Sequence, residues 1–113
     1  MNDYEQKCID LDKQLGELLG WSEVSIFNST KEVCGVFNGF YSVRNRWTQD
    51  DAEAFGLMVE HEIDLDYNTV GVKATNSDNI KEYYDADFLN FDSKSDAVRF
   101  AIVQAVINKL KGA

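Results

Sequence analysis

The chain has no proline, one histidine, two cysteines, and no apolar run near the roughly 18 residues that a membrane-spanning helix requires. It also lacks repeats, low-complexity segments and any linker-like stretch, so residues 1–113 read as a single domain, large enough for a modest core without metal or disulfide staples. A lone histidine excludes a two-His metal site, and Ser-His-Asp or Cys-His chemistry would have to use His61. Cys8 and Cys34 show no metal-ligand spacing; Cys8 falls on the apolar side of a helical pattern and reads as a buried, reduced thiol. Gly35, Gly39 and Gly56 form no phosphate loop or dinucleotide fingerprint, so no cofactor is expected. The N-terminus is acidic, unlike the basic start of a signal peptide, which points to a soluble intracellular protein.

Positive charge is scarce in one place above all. The formal net charge is −9, and between residues 50 and 72 Asp50, Asp51, Glu53, Glu60, Glu62, Asp64 and Asp66 occur without a single Lys or Arg. Phosphate contacts need clustered positive charge, so direct nucleic-acid binding is not expected. A basic protein partner is compatible with this segment, and so is a solvated face that keeps a small domain soluble. With 44% apolar and 12% aromatic residues the chain has the means to build a core.

That core is expected around Ser93 to Lys111. Ser93, followed three residues later by Asp96, caps a helix start, and between Ala97 and Ile107 the only polar side chains are Arg99 and Gln104. A helix apolar over so much of its circumference is covered on several sides. Gly112 provides a stop. A first helix is predicted over Asp3 to Leu19, from Tyr4, Cys8, Leu11, Leu15, Leu18 and Leu19 at three- and four-residue steps, ending at Gly20. Strands are predicted around Val24 to Phe27, Glu32 to Phe37 and Phe40 to Val43, with turns at Asn28-Ser29-Thr30 and Asn38-Gly39. Thr48 is expected to cap a second helix whose apolar face is Ala52, Phe55, Met58 and Val59, ending near His61. Alternation in Ile63 to Tyr67 and Val70 to Ala74 across Asn68-Thr69 predicts an antiparallel hairpin with one wet face. Thr75 to Asn79 reads as loop, Tyr83 and Tyr84 as a sheet extension, and Asp85 to Asp92 as an acidic loop.

Two clusters merit attention as sites. Asp64 and Asp66 share one strand face roughly 7 Å apart, a spacing that would hold Ca²⁺ or Mg²⁺ only if Glu60, Glu62 or Asp85 joined them; without a calcium-loop pattern, a wet face is the better reading. Tyr41, Arg44, Arg46 and Trp47 have the composition of an interaction hot spot or a base-stacking platform. The plainer alternative is that Trp47 staples the start of the second helix while the arginines are solvated or pair with Asp50 and Asp51. His61, at a helix end, is expected to serve the helix dipole or face solvent.

The run Trp47-Thr48-Gln49-Asp50-Asp51-Ala52-Glu53-Ala54, then Leu57-Met58 and Ile63-Asp64-Leu65, resembles the middle of the phage NinX-like family and the related phage ABA sandwich domains. Asp96-Ala97-Val98-Arg99-Phe100-Ala101-Ile102-Val103 is similar to their closing helix, and Leu18-Leu19-Gly20-Trp21 to the end of their leading one. Trp47 stands where a Tyr is usual and Asp51 where a Trp is frequent, and residues 22–46 do not align. The resemblance implies helix-sheet-helix layering and a phage or prophage origin, and carries over no activity. The expectation is therefore an α+β fold, an antiparallel sheet packed with three helices in an α/β/α-type layered sandwich. Its expected role is that of a small acidic phage accessory protein in the host cytoplasm, not an enzyme, which binds a host or phage protein and contacts neither nucleic acid nor membrane. Two alternatives stay open: a nucleic-acid mimic that inhibits a host DNA- or RNA-binding enzyme through the acidic 50–66 surface, and a small-nucleotide binder using Tyr41, Arg44, Arg46 and Trp47.

Overall fold

Apolar residues three and four apart make Asp3–Leu18 the first helix, α1, whose Cys8, Leu11 and Leu15 are buried; Gly20, at φ +98°, ends the helical region. The computed structural model describes residues 3–27, 29–76 and 82–112, and of residues 40–44 the backbone alone. After α1 come β1 (Ser22–Phe27), β2 (Glu32–Phe37) and β3 (Phe40–Asn45), an antiparallel sheet in that order. Asn38 and Gly39 between β2 and β3 both have positive φ, which a two-residue hairpin turn needs to match the twist of its strands. The expected turn at Asn28 lies partly outside the described residues.

Helix α2 (Asp51–Glu60) separates this sheet from a second one, formed by β4 (Ile63–Tyr67), β5 (Gly71–Asn76) and β6 (Glu82–Asp87). The Asn68 side chain closes the β4–β5 turn by accepting from the amides of Val70 and Gly71 at 2.9 and 2.8 Å. Helix α3 (Lys94–Leu110) completes the chain. Ser93, with extended backbone, accepts from the Asp96 amide at 3.1 Å, and Gly112 has φ +79° just beyond the helix.

The chain is a layered α+β fold with antiparallel strands and three helices, as expected, and its strands divide into two three-stranded sheets. α1 packs on β1 and β2, α3 packs on β5 and β6, and both α1 and α2 pack on α3. With a sheet on one side and helices on others, α3 buries eight of its residues, including Phe100, Val103, Val106 and Ile107. Tyr4, Tyr84 and Phe91 surround the Phe100 ring at centroid distances of 6.2, 5.8 and 5.3 Å.

Four local expectations need correction. Thr48 does not cap α2: the helix starts at Asp51, so the cap position falls to Asp50, whose extended backbone lets its side chain accept from the Glu53 amide at 3.1 Å, while the Thr48 hydroxyl and amide both donate to Asp12. The face α2 buries is Ala54 and Leu57, while Ala52, Phe55 and Val59 are exposed: the small Ala54 lies against the rest of the fold, where the larger residues would hold the helices apart. Thr75 and Asn76 belong to β5, and the rest of the loop expected there, 77–79, lies outside the described residues. Asp85 to Asp87 belong to β6, because Ala86 packs beside Val72, Ala97 and Ala101; a 3₁₀ turn at Phe88–Asn90, capped by Asp87, follows.

Candidate functional site

The two stripes of α2 produce the site. Burying Ala54 and Leu57 leaves Phe55 58% and Val59 60% exposed, and Tyr67, at the end of β4, is 59% exposed. Large apolar side chains exposed together mark an interaction surface more often than a single one does. Between α2, the first half of α3 and β4 runs a groove of about 560 Å³, within the range of roughly 300–1,000 Å³ usual for binding sites. Met58, Leu65, Val98 and Ile102 line it, Phe55 and Tyr67 stand at its sides, and Asp51, Lys94 and Arg99 supply its polar groups.

Arg99 would be the natural anchor for a phosphate or carboxylate, but its donors are already committed. Its Nε donates to the Thr48 carbonyl at 3.0 Å, Nη1 to Asp51 and Nη2 to Asp96, and only 13% of its side chain is exposed. Its fork is thus a strut joining α3 to the approach of α2. Lys94 lies with its ammonium 5.4 Å from the Phe88 ring centroid.

A second cavity, about 230 Å³, opens between α1 and the segment before α2, and Tyr4, Cys8, Asp12 and Thr48 are in its wall. Asp12 is 2% exposed; its carboxylate accepts from the Thr48 hydroxyl at 2.7 Å and the Thr48 amide at 3.1 Å. Burial pushes the Asp12 carboxyl up to about 7, against the opposing pull of the Thr48 hydrogen bonds and Arg46. Burial likewise raises Cys8 and Tyr4, which keeps the thiol protonated and poorly nucleophilic. These groups hold α1 to the loop before α2, and the chain's histidine lies elsewhere. His61 is the C-terminal cap of α2, one of the two roles expected of it; it is half-buried, and burial lowers its pKa, away from the charged form that the helix dipole would favour. Cys34 faces Ser25 across β1 and β2, its Sγ 3.3 Å from the hydroxyl, rather than His61.

No family model, curated protein or solved structure matches the chain.

The residues singled out in the sequence fall in different places. Trp47 is only 4% exposed and packs on Trp21 at a ring-centroid distance of 5.1 Å, so its face is taken by the core and not free for a base or a partner. Arg46 donates to the Thr30 carbonyl at 2.9 Å. Tyr41 and Arg44 are on β3, and their side chains lie outside what is described. Asp64 and Asp66 are on β4, half-buried and exposed respectively, and are paired in register with Thr75 and Lys73. Lys73 in turn pairs with Asp85, so acid, base and acid form one cross-strand row. Among the described residues no three acidic, His or Cys side chains converge as metal ligands. Periodicity alone assigns Phe55 and Tyr67 to buried faces. The signal that singles out Phe55 is that α2, ten residues long, carries apolar side chains on two stripes, while a helix packed on one side buries one.

Proposed function

We propose that the chain is a non-catalytic binding protein that docks a partner protein in the groove between α2, α3 and β4. The observation that carries this reading is the exposure of Phe55 and Tyr67 on the two sides of an apolar floor. Aromatic residues flanking a desolvated pocket are the usual anchors of protein interfaces. The commitment of Arg99 to Thr48, Asp51 and Asp96 speaks for the same reading, since it leaves the groove poorly equipped to hold a nucleotide phosphate. The Thr48 hydroxyl does lie against the Asp12 carboxylate, but Thr48, Asp12 and Cys8 are each no more than 2% exposed and His61 lies apart from them, which speaks against a nucleophile and base that a substrate could reach. A phage accessory role in the host cytoplasm is part of the proposal and rests on the resemblance at Trp47 to Leu65.

The alternative of a nucleic-acid mimic draws on the acids of β4, yet Lys73 interrupts the row between Asp66 and Asp85, which favours the groove. The test is quantitative capture from phage-infected and uninfected host lysate with the wild-type chain and a Phe55→Ser, Tyr67→Ser variant. A partner retained by the wild type and lost by the variant, with equal thermal midpoints, is the expected result. Identical captured sets, or no partner at all, would sink the proposal.

A further inference from the structure

Charge inside the groove differs in sign from the charge around it. Asp64 and Asp66 alternate with the groove-lining Leu65 and Tyr67, so they lie on the other face of β4, and Asp50 and Glu53 line a separate cavity beside Arg46. On the groove wall itself Asp51 is taken up by Arg99, which Asp96 also holds. Lys94 remains: it is exposed, its ammonium lies 5.4 Å from the Phe88 ring centroid, and among the described residues it joins no ion pair. Its position matters as much as its sign. Lys94, Val98 and Ile102 are four residues apart and form one ridge of α3, so the groove changes from apolar to cationic over two turns, about 12 Å. The floor side chains of Met58, Leu65, Val98 and Ile102 offer no strong hydrogen-bond partner. An extended segment laid there would bury unpaired backbone N–H and C=O groups, whereas a helix satisfies its own. β4 is a poor template for such a segment, being an edge strand of only five residues with acids at alternate positions.

We infer that the partner fills the groove with a short amphipathic helix, its apolar face on Met58, Leu65, Val98 and Ile102 and an Asp or Glu at one end of that face paired with Lys94. The inference rests on the groove-docking function proposed above and names the chemistry of its occupant. Apolar side chains spaced as i, i+3, i+4 and i+7 would meet the floor, and Phe55 and Tyr67 would close on either side. An ion pair with an exposed lysine is modest in strength, so it sets the register of the helix while the apolar contacts hold it. The net charge of −9 acts against an acid only at long range, and at physiological salt it is screened beyond about 8 Å.

Four synthetic peptides of roughly 18 residues, long enough for helix formation on a surface, separate the outcomes. Three carry Leu at helical spacing among Gln and Ser, with a single Glu, Gln or Lys at one end of the Leu stripe; the fourth is the Glu peptide with a proline in the middle of the stripe, which breaks the helix. Fluorescence anisotropy gives affinities, and amide shifts in the labelled protein locate the contact. The expected result is that the Glu peptide binds about three- to fivefold more tightly than the Gln peptide, the range of an exposed ion pair, and the Lys peptide more weakly than either. Lys94→Met should erase the difference between Glu and Gln, Phe55→Ser should weaken all three by at least about tenfold, and the proline peptide should not bind. Equal affinity of the Glu and Gln peptides, tightest binding by the Lys peptide, or a preference for Glu that survives Lys94→Met would overturn the pairing with Lys94 and leave groove docking standing. Binding of the proline peptide at the groove would overturn the helix in the same way. Binding that is indifferent to Phe55→Ser and shifts amides elsewhere would count against both readings. Absence of binding by all four peptides overturns the inference, while the lysate capture decides the docking function separately.

Discussion

A carboxylate buried to 2% exposure has to be satisfied or neutralised, and Asp12 is partly both. Two donors from Thr48 favour its ionised form, burial opposes it, and the carboxyl ends near 7, against an ordinary 3.8. The folded state therefore holds this proton over a pH range in which the unfolded chain has released it. Where the folded state binds more protons, stability falls as pH rises. The contribution of Asp12 is fully present below about pH 4, declines up to about pH 7, and is flat beyond; a tenfold difference in proton affinity between the two states corresponds to about 1.4 kcal/mol. Urea melts at a series of pH values should show the wild type losing more stability between pH 4 and pH 7 than Asp12→Asn, by on the order of 2–4 kcal/mol. Parallel curves for the two proteins would mean that Asp12 titrates normally. At the partner residue, Thr48→Val should cost about 1–3 kcal/mol by leaving one carboxylate oxygen without its hydroxyl donor, and Thr48→Ser should restore most of it. Nothing in the sequence near Asp12 announces this pair, which spans 36 positions.

Elements are easier to read where their pattern is local. α3 has apolar side chains over most of its surface because it is packed on by α1, α2 and the second sheet, and Leu15 of α1 is fully buried in the same cluster. Leu15→Ala should destabilise by about 2–5 kcal/mol through the cavity it leaves, and Ala101→Leu by about 1–3 kcal/mol through overpacking beside Val72 and Ala86. Thermal or urea midpoints unchanged in both would contradict the placement of these helices. In the second sheet Gly71 sits where an added Cβ would meet the Ala86 carbonyl oxygen at 2.3 Å, so Gly71→Ala should disrupt the β5–β6 pairing. Hydrogen exchange should report faster opening of the amides in β6 for this variant than for Gly56→Ala on α2, where nothing lies within 4 Å. α2 itself departs from its sequence pattern at both its face and its cap. Both of its stripes satisfy a helical period, and which one is buried depends on where α3 lies.

For the molecule as a whole, charge and packing divide the labour. The core is continuous from α1 through α3 to the second sheet, while the acids of 50–66 belong to α2 and the edge strand β4. Asp64→Asn with Asp66→Asn should therefore leave the unfolding free energy within about 0.5 kcal/mol of the wild type and reduce its response to added salt. A loss of several kcal/mol would show these acids to be structural partners instead. The exposed ion pair between Lys73 and Glu82, at 3.8 Å, adds little on its own.

The sequence by itself determined what depends on near neighbours along the chain. Three helices were legible from apolar spacing, the β4–β5 hairpin from alternation around Asn68-Thr69, the Asn38-Gly39 turn from its need for positive φ, and the ends of α3 from Ser93 and Gly112. Only the tertiary structure decided that the strands form two sheets, that Trp47 goes inward against Trp21, that Thr48 serves Asp12 instead of a helix end, and that Phe55 faces outward. Each of those outcomes compares local preferences that are nearly equal, such as two apolar stripes on α2 or two polar side chains, Thr48 and Asp50, each able to cap it. The choice between them falls to distant residues that supply the buried surface or the hydrogen-bond partner.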